Sequence, residues 1–176
     1  NGFEDNILIE GDNYHALTVL NYTHPESVDV IYIDPPYNTG NNDFKYNDKF
    51  VDREDGFRHS KWLNFMEKRL NLAKDLLKKT GVIFISIDDN EQAQLKLLCD
   101  KIFGEGNFIT TIICQKNYSP QNDAKYFSNM HDFIFVYAKK KNYGSDVSGW
   151  VRNILSRTDE QNARYKNPDN DSRGSW

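Results

Sequence analysis

The stretch Val28-Asp29-Val30-Ile31-Tyr32-Ile33-Asp34-Pro35-Pro36-Tyr37 decides how this sequence folds. Its first six residues are mostly apolar and β-branched, the pattern of a strand buried on both faces of a parallel sheet. The strand has to stop at Asp34-Pro35-Pro36, because proline has no N–H to give to a ladder. A rigid acidic loop therefore follows the carboxyl end of a buried strand, which is where open α/β sheets bind ligands.

Working outward, residues 6–10 (N-I-L-I-E) read as a short strand and Gly11-Asp12-Asn13 as a turn with helix-capping residues. Tyr14, Leu17 and Leu20 then recur at helical spacing. Residues 37–60 are polar and aromatic without a period, a long loop of the kind that is usually functional. From Lys61 a helix carries the apolar stripe Trp62, Phe65, Met66, Leu70, Ala73, Leu76 and Leu77, and Thr80-Gly81 ends it. Residues 82–87 (V-I-F-I-S-I) form the next buried strand. Asp88-Asp89-Asn90 then caps a helix bearing Leu95, Leu98 and Ile102, closed by Gly104. Residues 108–114 and 133–138 are two further strands, joined by a polar loop over 115–132. Alternating strands and helices mean an α/β fold with a largely parallel sheet. The division expected is a folded portion over residues 1–140 and an irregular segment over 141–176.

The 176 residues suffice for one domain, and 38% are hydrophobic. A net charge of −4 argues against holding nucleic acid by global electrostatics. Local basic positions remain: the run Lys139-Lys140-Lys141, and Lys116, Lys125, Arg152, Arg157, Arg164 and Lys166 in the C-terminal third. No apolar run approaches the roughly 20 residues of a membrane helix. Residues 1–6 are polar and acidic, unlike a signal peptide. Cys99 and Cys114 lie in apolar segments and read as buried free thiols, so a cytoplasmic location is expected. No metal-ligand set is read. The chain begins without Met and ends at Ser175-Trp176 without a terminating signal, and is expected to be a piece of something longer.

Asp12, Asp34 and Asp88-Asp89 each follow a strand. Aspartate at such a junction is often only an N-cap. Asp34 differs, because two prolines and a tyrosine make an extended loop instead of a helix start. That loop suits one chemistry. The exocyclic amine of adenine is a poor nucleophile because its lone pair is delocalised into the ring. The Asp34 carboxylate and the Pro35 carbonyl are two fixed acceptors for its two protons, which favours a pyramidal nitrogen with its lone pair directed outward. Acceptors aimed at developing positive charge stabilise the transition state, and the proline pair (Pro35, Pro36) limits their misplacement. Tyr37 offers a π-face for the base, worth about 1–3 kcal/mol. A base in a duplex must be flipped out to reach such a site.

Asp34-Pro35-Pro36-Tyr37 matches the D-P-P-Y motif of the DNA amino-methyltransferases. The wider run I-Y-I-D-P-P-Y-N-T-G over 31–40, with Phe44-Lys45-Tyr46-Asn47-Asp48, resembles the modification subunits of type III restriction-modification systems. The resemblance continues through Trp62-Leu63, Arg69, Gly81-Val82-Ile83-Phe84, Ile87-Asp88-Asp89-Asn90-Glu91, Ser119-Pro120-Gln121-Asn122-Asp123, His131-Asp132-Phe133-Ile134 and the run 164–171, nearly the whole chain. It implies part of a Rossmann-like sheet with flanking helices and S-adenosylmethionine as cofactor. It further implies adenine-N6 methylation of DNA within a restriction-modification system. Asp34, Pro35, Pro36 and Tyr37 would be catalytic, Asp12 and Asp34 would contact cofactor, and Asn38, Lys45, Lys116 and Tyr118 would meet nucleic acid. Tyr126, Phe127 and Lys125 are further candidates there. Implied partners are DNA, a restriction subunit with helicase and nuclease functions, and a second copy of the full-length protein.

The family also needs a cofactor loop, F-x-G-x-G after a strand, which in this permuted arrangement lies beyond the target-recognition region. Gly104-Glu105-Gly106 is the one G-x-G, and it ends a helix instead of opening one, so it reads as a C-cap and turn. Two central strands of the sheet would then be missing, leaving apolar edges that favour association or partial disorder. Two other readings compete. One is a methyltransferase of an RNA base or a glutamine side chain, which uses a similar N-P-P-Y loop. The other is a non-catalytic module that binds DNA or a partner. A zinc deaminase lacks support, because no H-x-E…P-C-x-x-C set is present. The 176-residue chain is expected to be catalytically silent and to show no micromolar binding of S-adenosylmethionine in calorimetry; a micromolar isotherm would overturn that expectation.

Overall fold

Ile83, Ile85 and Ile87 alternate along one strand and are all fully buried, so the core is organised around that strand. In the computed structural model, which describes residues 6–119, 126–142, 148–153, 156, 158–163 and 172, it is β4 (Leu77–Ile87). β4 pairs in parallel with β1 (Val28–Ile33) and antiparallel with β6 (His131–Ala138). β6 pairs antiparallel with β5 (Phe108–Gln115), giving the order β1-β4-β6-β5. The helices α1 (Asn13–Thr23), α2 (Arg58–Leu76) and α3 (Gln92–Phe103) pack in sequence, α1 on α2 and α2 on α3. A short helix α4 (Asp159–Ala163) lies near the C-terminus.

The α/β class stands, but the sheet is mixed, not largely parallel: β1 and β4 form its one parallel pair among the described residues. Among the described residues no helix separates β5 from β6, and adjacent strands without a crossover helix between them pair antiparallel. The Val28–Ile33 strand forms, yet it is not buried on both faces. Ile31 and Ile33 pack on the helix side, while Val30 and Tyr32 are 58% and 60% exposed on the other.

Residues 6–10 are not a strand. They are extended and exposed, Leu8 at 95%, because none of the described strands runs beside them and an unpaired ladder has no hydrogen bonds to gain. Cys114 is exposed, not buried, since β5 is an edge strand whose last residues face outward; Cys99 is buried as expected. The stretch 37–60 is not structureless either. It contains the hairpin β2 (Lys45–Tyr46) and β3 (Lys49–Phe50), whose turn residues Asn47 and Asp48 both have positive φ, as a tight two-residue hairpin turn requires. Phe44 and Val51 at its ends are buried in the core.

α2 starts ahead of the expected Lys61, at Arg58, because Asp55 accepts from the Phe57 amide at 2.8 Å and turns the chain early. The α2 stripe Trp62, Met66, Leu70, Ala73 and Leu76 is buried against β4 and α3. The helix ends at Leu76 instead of Thr80-Gly81, and residues 77–80 join the strand. Gly81 sits where a Cβ would meet the Val28 carbonyl at 3.0 Å, so the pairing of β1 and β4 demands glycine there. Asp88 does not cap α3: it accepts from the Asn90 amide at 2.9 Å in the preceding turn, and Glu91 occupies the cap position. Gly104, at φ +92°, ends α3 ahead of a single 3-10 turn, Glu105–Asn107.

The main hydrophobic cluster lies on the face of the sheet that carries Ile83, Ile85 and Ile87, and β1 is exposed on the other. In the 176-residue chain Ile85→Ala is expected to cost about 2–5 kcal/mol in denaturant titration, from lost burial and a residual cavity. Val30→Thr should stay within about 0.5 kcal/mol. Equal losses at the two positions would contradict the one-sided core.

Candidate functional site

Strand register places four chain segments at one rim. Ile33 pairs with Ile85, Ile87 with Phe133, and His131 with Gln115, so Asp34, Asp88, Asp132 and Lys116 all lie near the same end of the sheet. Asp34 is exposed at the end of β1, and Tyr37 is half-buried. The Tyr37 hydroxyl donates to Asp34 Oδ1 at 2.8 Å, closing the four-residue loop on itself. Burial raises the Tyr37 phenol well above its usual range, and the hydrogen bond and charge of Asp34, then the charge of Asp132, push the same way. The hydroxyl therefore stays a donor.

The loop is held from beneath by α2. Trp62 is fully buried and its Nε1–H donates to the Pro36 carbonyl at 2.7 Å. Immediately after Tyr37, Asn38 has φ +58°, and its amide donates to Glu91 Oε1 and, at 3.3 Å, to the Arg58 carbonyl. Asn38 is only 1% exposed. Its expected contact with nucleic acid is thus corrected: the side chain faces the protein interior and its donors are taken. Gly40, at φ +82°, packs so tightly that a Cβ would lie 2.5–2.8 Å from Arg53, which makes glycine obligatory.

Beside the loop is a cleft of about 310 Å³ between α1, the end of β1 and α2. Ile31, Ile33, Phe65 and Leu70 give it apolar walls, and Asn13, Asp34 and Arg69 are its polar groups. Arg69 bridges the two helices: its Nε–H donates to Asn13 Oδ1, its Nη2 reaches Asp12 Oδ2 at 3.4 Å, and its guanidinium lies 3.7 Å from the Phe65 ring centroid. Asp12 caps α1 by accepting from the Tyr14 amide at 2.8 Å, and does not itself line the cleft. That amide, followed by the Arg69 charge, holds its carboxyl below the usual range.

The remaining candidates are spread along the rim and the hairpin. Lys45 is exposed on β2 with its Nζ 4.5 Å from the Phe50 ring centroid. Lys116 follows β5 and pairs with Asp132 at 3.1 Å. Tyr118, Tyr126 and Phe127 are 85%, 83% and 98% exposed. Lys125, Arg157, Arg164 and Lys166, and the quoted residues 120–123 and 164–171, lie outside the described residues. The described part of the structure holds no cluster of His, Cys, Asp and Glu that could bind a metal, and no helix long and apolar enough to cross a membrane.

Sequence reasoning read Trp62 only as core and gave Glu91 and His59 no role. A tryptophan in an apolar stripe signals burial, but nothing in the stripe says what its N–H will meet. Glu91 had one usable signal, an acidic residue directly ahead of an apolar helix.

Comparison with known proteins places these features. The model of a DNA methylase family, the N6/N4 methyltransferases, matches residues 28–176. The Mod subunit of the type III restriction-modification enzyme EcoPI from Escherichia phage P1 is 44% identical over 159 residues, covering 77% of this chain and 25% of that protein. The EcoP15I Mod subunit from Escherichia coli is 40% identical over 171 residues, 84% of this chain and 26% of that one. The chain spans about a quarter of the length of these curated relatives. Among solved structures, a DNA modification methylase from Thermus thermophilus, complexed with S-adenosyl-L-methionine, superposes with a TM-score of 0.55 at 18% identity, covering 91% of this chain and 62% of that one. That similarity concerns the fold. With its D-P-P-Y loop at the end of β1 and a match over most of its length, the chain belongs to the N6/N4 DNA methylase family.

Proposed function

We propose that this chain carries the amine-binding half of an adenine-N6 DNA methyltransferase that modifies DNA within a type III restriction-modification system. The observation that carries the reading is the Asp34–Tyr37 loop, held over a cleft by the Trp62–Pro36 hydrogen bond. The Asp34 carboxylate and the Pro35 carbonyl accept hydrogen bonds from the two N–H groups of the target amine and direct its lone pair away from the ring. As charge develops on the nitrogen, the Asp34 carboxylate stabilises it without having to reorganise. Tyr37 covers one face of the flipped base, and Pro35 and Pro36 keep the acceptors in place.

S-adenosylmethionine fits this reading in part. The cleft offers apolar walls beside Asp34, and Asp12, an ionised and half-exposed carboxylate, directly precedes the lining residue Asn13. Asp12 and Asp34 would hold the cofactor, whose sulfonium supplies a methyl group when bound. Gly104 and Gly106 form a helix end and turn, so a glycine-rich cradle is not found at the described G-x-G. DNA would run across the rim, with Lys45 and Lys116 at phosphates and Tyr118 stacking on a base. Residues 141–176 would lead toward the region that reads the DNA sequence. A restriction subunit, from the similarity to Mod subunits, a second copy of the full-length protein, and a cytoplasmic location, from the free cysteines, complete the proposal.

The test is methyl transfer by the full-length protein to adenine-containing duplex, with an RNA and a glutamine peptide as controls. Turnover on either control in place of the duplex would overturn the substrate assignment. Asp34→Ala should lower kcat by about 10²–10³-fold, the usual effect of removing a preorganised electrostatic partner. At Tyr37 the ring and the hydroxyl can be separated. Tyr37→Ala should reduce kcat/KM by roughly 5- to 150-fold through lost stacking. Tyr37→Phe keeps the ring and should stay within about tenfold of wild type; a phenylalanine variant as damaged as the alanine one would contradict stacking as the main role.

A further inference from the structure

Glu91 is a fully buried acidic residue that the chemistry above does not use. It stands where β4 gives way to α3, and its Oε1 accepts from two elements at once. The Asn38 amide donates to it from the D-P-P-Y loop, and His59 Nδ1 lies 2.8 Å away at the start of α2. Asn38 also reaches the Arg58 carbonyl, so the residue after Tyr37 is tied to both α2 and the β4–α3 junction. These ties hold Asn38 at φ +58°, a left-handed conformation that asparagine tolerates but that the chain does not adopt without cause.

The network is a poor device for stability alone. Glu91 Oε2, Asn38 Oδ1 and Arg58 Nη1 are buried without a partner among the described residues. Incompletely paired buried polar groups cost more than apolar side chains of the same size. Sites that break the rules of economical packing are where functional geometry is kept. We propose that Glu91 is a positioning residue: through Asn38 it fixes the downstream end of the Asp34–Tyr37 loop, as Trp62 fixes it at Pro36. Held at both points, Tyr37 is placed against its base and Asp34 and Pro35 against the amine. The kinetic consequence rests on the methyltransferase reading; the structural consequence does not.

Three variants of the full-length protein test this. Glu91→Leu removes both acceptors and should lower kcat by about 10²-fold, the effect of a misplacement near one ångström. KM for the cofactor should rise by less than about tenfold, well below the fall in kcat, because Asp12 and the α1 and α2 walls of the cleft stay in place while Asp34 shifts with the loop. Glu91→Gln keeps an Oε1 acceptor for Asn38 and His59 and should lose less than about tenfold in kcat. Asn38→Gly permits the positive φ but removes the tie, so it should resemble Glu91→Leu even if the leucine variant fails to fold. Wild-type kcat in Asn38→Gly, or a glutamine variant as impaired as the leucine one, would overturn the proposal. A crystal structure of Asn38→Gly reads the same point without activity: residues 34–37 should shift by more than about 0.5 Å, the tolerance of a productive site. An unmoved loop would overturn the proposal. If the wild-type protein methylates no adenine, the functional reading fails, and the loop shift in the variant still decides this one.

Discussion

A loop at the end of β1, an edge strand among the described residues, has little to hold it on its outer side, and the hydrogen bond from Trp62 to the Pro36 carbonyl answers that problem here. Its donor comes from a fully buried ring whose position is set by the whole α2 stripe. Its acceptor is a carbonyl that proline geometry already points in a fixed direction. Breaking the bond would leave a buried N–H unpaired, at a cost of about 1–3 kcal/mol. The loop is therefore coupled to the hydrophobic core: whatever packs α2 against β4 also positions Pro35, Pro36 and Tyr37.

That coupling explains the layout of the site. α2 supplies Trp62 beneath the loop, Phe65 and Leu70 to the wall of the cleft, and Arg69 to the bridge with α1. One helix thus sets both the Asp34–Tyr37 loop and the wall of the cleft beside it. Exposed side chains on the rim, among them Lys116 and Tyr118, lie outside this packing.

Much of this was legible in the sequence because the signals were local. Five β-branched or apolar residues out of six, ending in Asp-Pro-Pro, define a strand and its stop, and the apolar stripe from Trp62 to Leu76 defines α2. The Gly104 helix end needed only a glycine after a periodic run. What could not be read depended on partners distant in sequence. Residues 6–10 look like a strand, but pairing needs a neighbour, and none of the described strands supplies one. The direction of β6 shows in its pairing with β4 and β5, not in its composition. The hairpin over 45–50 was hidden because its two-residue strands are too short to show a period, although Asn47-Asp48 is a turn pair. Asn38 is expected from the resemblance to meet nucleic acid, and its burial depends on Glu91, 53 positions away.

The most direct measurement is a crystal structure of the full-length protein with an adenine-containing duplex and a cofactor product. The account predicts a flipped adenine whose N6 lies within hydrogen-bond distance of both the Asp34 carboxylate and the Pro35 carbonyl, with the Tyr37 ring on its face. A target base bound away from the Asp34–Tyr37 loop, or an amine facing neither acceptor, would contradict it.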